Sequence, residues 1–81
     1  MMTESMRVLA SLHERGESTL LELMDDTGIT GGRVLVALGV LIRAGEASQQ
    51  RRAGLSHFTA TDAGSSKAAS WALPTEVRRA G

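Results

Sequence analysis

The sequence has no cysteine and no tyrosine, and only one phenylalanine, one tryptophan and one proline. Without thiols it has no disulfide framework, thiolate metal site or cysteine nucleophile, and it suits a reducing cytoplasm, the expected location. Phe58 and Trp71 alone make no stacking platform for single-stranded nucleic acid. Long hydrophobic runs are also missing. The longest uncharged stretch of the apolar region, Val34 to Ile42, has nine residues, about 14 Å as a helix and roughly half a bilayer's hydrocarbon core. No membrane partner is expected. Met1-Met2-Thr3-Glu4 has neither a basic start nor a hydrophobic run, so no signal peptide is expected. His13 and His57, the only histidines, have no metal-ligand spacing. No catalytic triad or phosphate loop is written either, so no enzyme, metal or cofactor is expected.

What remains is ordinary globular material: 42% hydrophobic and 22% charged residues exclude the composition of a disordered chain. Eighty-one residues suffice for one modest core. A domain over 1–73 and a flexible tail over 74–81 are expected. The net charge is zero, but it is unevenly distributed. Residues 1–26 carry six acids against Arg7 and Arg15, giving −4; residues 27–60 carry Arg33, Arg43, Arg51 and Arg52 against Glu46, giving +3; the rest adds +1. The middle is the basic part, and local sign matters more than the sum for docking on phosphates.

Met6, Leu9 and Leu12, widened by Val8, predict a helix over Glu4 to Arg15, stopped by Gly16. Thr19 followed three residues later by Glu22 is a capping box, opening a second helix with Leu20, Leu23 and Met24 on its inner face. Thr27-Gly28 ends that helix, and Thr30 is a good N-cap for a third over Gly31 to Ala44. Two helices joined by a short glycine-containing turn form a helix-turn-helix signature. On the third helix Val34, Ala37, Leu38 and Leu41 share one side, while Gly32, Arg33, Val36, Gly39 and Arg43 take the other. Strands over Ala47 to Arg51 and Leu55 to Ala60 are expected around an Arg52-Ala53-Gly54 turn, with Phe58 inward. After Thr61-Asp62-Ala63-Gly64, a fourth helix over Ser65 to Ala72 is expected to stop before Pro74.

The expected fold class is mainly α with a small hairpin: a three-helix core, a two-stranded wing and a C-terminal helix. Within it, the run from Glu22 to Gly45 (ELMDDTGITGGRVLVALGVLIRAG) resembles the MarR, PadR and ArsR-like bacterial regulators. Their usual wording is E-L-x-x-x-T-G-(I/L)-(S/T)-x-x-x-V-x-x-x-L-x-x-L-x-x-x-G. Phe58-Thr-Ala-Thr-Asp-Ala-Gly64 is similar to the Y-x-L-T-x-x-G that closes the wing in those families.

The resemblance implies a winged helix-turn-helix transcription regulator that binds double-stranded DNA. It implies the third helix in the major groove and the wing on the backbone or minor groove. Carried over by position, Thr30 would cap that helix facing a phosphate, and Gly31, Gly32 and Arg33 would form its first exposed turn. Arg33 would read a base edge, with Val36 facing the groove and Arg51 and Arg52 meeting phosphates from the wing tip. In several members the last helix pairs two subunits, which implies a homodimer through Trp71 and Leu73. The departures are Val36 and Gly39, where the families usually carry polar or basic residues, and the apolar Leu35 and Ile42. They leave open an alternative: a winged-helix module that seats a protein partner on its third helix and does not bind DNA.

Overall fold

In the computed structural model the elements run α1 (Glu4–Arg15), α2 (Leu20–Thr27), α3 (Gly31–Arg43), β1 (Ala47–Arg52), β2 (Leu55–Ala60) and α4 (Asp62–Ala80). The structure describes residues 2–80, with side chains up to Trp71. The mainly helical class and its two-stranded antiparallel hairpin agree with the sequence expectation.

Local chemistry explains the boundaries. The Thr3 hydroxyl accepts from the Met6 amide to start α1, and both halves of the Thr19–Glu22 capping box form at α2. Gly28 ends α2 at φ 73°, a left-handed position that glycine takes without the Cβ penalty. That tight stop sends the chain through Ile29 into α3. The buried faces of the three helices then converge, with Val8, Leu9 and Leu12 of α1 packed with Leu23 of α2 and Val34, Leu38 and Leu41 of α3.

Phe58 points into this core, as alternation along the strand requires. Ser18 pairs with Phe58 through reciprocal backbone hydrogen bonds of 2.9 and 2.8 Å, so the α1–α2 link acts as a one-residue third strand. This pairing anchors the hairpin beside the helices. Arg52 is the last residue of β1 rather than part of the turn, and Ala53-Gly54 alone turn the chain. Both have positive φ, and Ala53 sits at 53°, at a cost of about 1–2 kcal/mol relative to a residue free to be left-handed.

The fourth helix departs from expectation at both ends. It opens at Asp62 because Thr61 is its cap: the Thr61 hydroxyl accepts from the Gly64 amide at 3.1 Å and donates to the Gly45 carbonyl at 2.6 Å. It also continues past Pro74 to Ala80. A proline removes one ladder bond and kinks a helix, and that need not end it.

Candidate nucleic-acid interface

The first turn of α3 is an open helix end. Thr30 holds the N-cap position with extended backbone but makes no side-chain cap bond, and the first ladder bond runs from the Val34 amide to the Thr30 carbonyl. The amides of Gly31, Gly32 and Arg33 therefore have no partner within α3, the condition that favours an anion at a helix N-terminus. Thr30, Gly32 and Arg33 are exposed, while Gly31 is half-buried. The two glycines differ. A Cβ on Gly31 would lie 3.2 Å from the Met24 sulfur, so Gly31 lets α2 and α3 approach, whereas one on Gly32 or on Gly39 would meet nothing.

Arg33 is 68% exposed, yet it grips Glu4 at the start of α1: Nη2 lies 2.5 Å from Oε2, and Nε donates to Oε1 at 3.1 Å. Arg52 is likewise engaged, with Nη2 at 2.6 Å from Glu17 and a hydrogen bond to Gln50. Arg51 and Arg43 make no ion pair among the described residues. Asp26 accepts from the buried Ser11 hydroxyl at 2.5 Å and thereby ties α2 to α1. It is a structural carboxylate. Among the described residues no group of histidines, cysteines and acids could hold a metal, and no helix is long and apolar enough to cross a membrane.

The hydrogen bond from Arg52 holds the Glu17 carboxyl below its ordinary range, and the Thr19 amide does the same for Glu22. A carboxyl with a lowered folded-state pKa contributes stability that is present above its unfolded value, near 4.3, and is lost as pH falls through the folded value. Acidification from about pH 5 to pH 3 should therefore loosen the wing's tie to the α1–α2 link. Glu17→Gln should flatten part of that acid limb in urea melts; an unchanged limb would show that the pair contributes nothing.

The outer face of α3 is apolar. Leu35 is 51% exposed, Val36 70% and Val40 53%, with Leu21 and Leu55 also exposed nearby in the chain's tertiary arrangement. Leu21, Leu35, Ile42, Leu55 and Phe58 line an open groove of about 500 Å³ between α2, α3 and the hairpin, with Gln49 and Ser56 among its polar walls. Strand alternation puts Arg51, opposite Ser56, on the hairpin face that carries Gln49 and Phe58. Sequence reasoning missed this groove because three separate elements supply it. The local signals were the apolar Leu35 and Ile42 of α3, both departures from the family pattern, and Leu21, an apolar residue off the inner stripe of α2. Trp71 is half-buried and packs against the core from α4, and the Leu73 side chain lies outside the described residues.

No protein-family model matches the chain, and no curated protein does. Solved structures do resemble it. The reduced form of MarR from E. coli superposes with a TM-score of 0.81 at 16% identity, over 89% of this chain and 55% of that one. A mutant MarR from E. coli complexed with operator DNA gives 0.79 at 16% identity, over 90% and 54%. SSV1 F-93 gives 0.80 at 18% identity, over 98% and 92%. The chain spans only 51%, 55% and 56% of the oxidised form of MarR from E. coli, a MarR family regulator from Silicibacter pomeroyi and BpsR from Bordetella bronchiseptica. At such identities the likeness shows the fold, a winged helix resembling that of MarR.

Proposed function

We propose that this chain is the DNA-binding module of a bacterial-type transcription regulator, working in the cytoplasm as a homodimer. In this reading α3 enters the major groove of duplex DNA and the wing follows the backbone. The observation that carries it is the N-terminus of α3, whose first amides have no partner within the helix and whose first turn carries the exposed Arg33, in a fold whose wing bears Arg51 and Arg52 at the end of β1. The same fold in a complex with operator DNA supports it. The assigned contacts are Thr30 and the amides of Gly31 and Gly32 to phosphate, Arg33 to a base edge, Val36 to a thymine methyl, and the wing arginines to phosphates. Trp71 and Leu73 are assigned to the dimer contact, with residues 1–73 as the working domain and 74–81 as its tail. Fluorescence polarisation with random duplex DNA at two salt concentrations, run with sedimentation, tests the reading; no binding at low salt would refute it.

A second reading follows from the uncharged outer face of α3. A helix that exposes Leu35, Val36 and Val40 can seat an apolar protein surface in place of DNA. Val36→Glu separates the two. Placing a carboxylate on that face should abolish a protein contact there, typically by more than tenfold. Partner or self-association that survives the change puts the interface elsewhere.

A further inference from the structure

Arg33 and Glu4 are 29 residues apart in sequence and meet side-on. The carboxylate takes Nε–H and one N–H of Nη2, the two donors on one edge of the guanidinium. Arginine has five N–H donors in a fixed planar fork, so three remain. They include the parallel pair on the far edge, Nη1 and Nη2, the edge that matches O6 and N7 of guanine. The Arg33 side chain is 68% exposed, so the grip of Glu4 leaves it open to solvent.

We infer that Glu4 is a positioning residue for base recognition: it fixes the plane of the Arg33 guanidinium so that its free edge meets a guanine in the major groove. The inference rests on the DNA-binding reading of α3. An unsupported arginine at a helix start samples many rotamers and spends its charge on whichever phosphate is nearest. One gripped along its inner edge loses that freedom before binding, and a second partner then engages at lower entropic cost. An ion pair this exposed contributes little to folding by itself, and bidentate arginine–carboxylate geometry is the circumstance in which such a pair has directional value. Glu4 also lies in the first turn of α1, where a carboxylate favours the helix dipole. That role alone predicts no effect on DNA sequence preference.

Selection from a randomised duplex library with the full chain decides the matter, comparing wild type with Glu4→Gln and Arg33→Lys, each checked for folding by circular dichroism. Wild type should enrich a guanine at a fixed position. Glu4→Gln should lower that preference about tenfold, within the discrimination a bidentate contact provides, while affinity for unselected duplex stays level or rises a few-fold as an acid is removed. Arg33→Lys should lose the preference as well, because an ammonium has no fork. If Glu4→Gln raises both affinity and guanine preference, Glu4 is an occluding latch and the inference is wrong. An unchanged preference, or wild-type duplex binding with no guanine preference, overturns the inference and leaves the DNA-binding reading standing. Absence of duplex binding removes both.

Discussion

Gly64→Ala should destabilise the protein by about 3 kcal/mol or more, lowering the melting temperature by about 15 °C in a domain of this size. A Cβ at that position would lie 2.0 Å from the Glu46 carbonyl oxygen and 2.9 Å from its carbon, with Leu9 Cδ1 at 3.1 Å. The obstacle is backbone, and it cannot swing aside. The Glu46 carbonyl accepts from the Thr61 amide at 3.0 Å, and the Thr61 hydroxyl is bonded to the neighbouring Gly45 carbonyl. Moving α4 outward would break both links between the base of the wing and the helix that follows it. Gly39→Ala is the internal comparison. It makes the same chemical change in the open on α3 and should stabilise the free protein by about 1 kcal/mol through helix propensity. Thermal and urea melts of the two variants should move in opposite directions. A Gly64→Ala protein that melts within a few degrees of wild type would mean that α4 does not pack this closely.

The two glycines also mark the limits of what the sequence could say. Gly64 read as a turn residue, after Thr61-Asp62-Ala63, because glycine most often earns its place by backbone freedom. Here it sits within α4 for want of a side chain, and only the Glu46 carbonyl, just before β1, reveals that. By contrast, the caps at Thr19 and Gly28, the inner stripe of α3 and the inward Phe58 were legible, since each depends on spacing within one element. The same division holds at the interface. Sequence reasoning identified Arg33, Arg51 and Arg52 as candidate contacts, and the structure finds Thr30 at its cap position and Val36 exposed. The partners of the arginines, Glu4 for Arg33 and Glu17 for Arg52, come from a different part of the chain, where no periodicity links them. The −4 charge of the first 26 residues is in part folded directly against the basic middle, through Glu4 on Arg33 and Glu17 on Arg52.

That juxtaposition shapes the largest functional effect expected. If the module binds duplex DNA as a dimer with about four to six phosphate contacts, raising salt from 50 to 200 mM should weaken binding about a hundredfold to a thousandfold. Replacing Arg33, Arg51 and Arg52 together by alanine should remove most of that slope and most of the affinity with it. The three should not contribute equally. Arg52 must exchange the Glu17 carboxylate for a phosphate, so its gain is the difference between two charge-assisted contacts. Arg51 has no ion pair among the described residues to give up, and its gain on binding is correspondingly larger. Arg51→Ala should therefore cost more affinity than Arg52→Ala, each lowering the salt slope by about two contacts' worth, one per subunit of the dimer. Glu17→Gln should narrow the gap between them by freeing Arg52. Equal losses from the two wing arginines would mean that the Glu17 contact is too weak to compete with DNA. A flat salt dependence in the wild type would remove the electrostatic basis of the DNA-binding reading and favour the apolar face of α3 as the working surface.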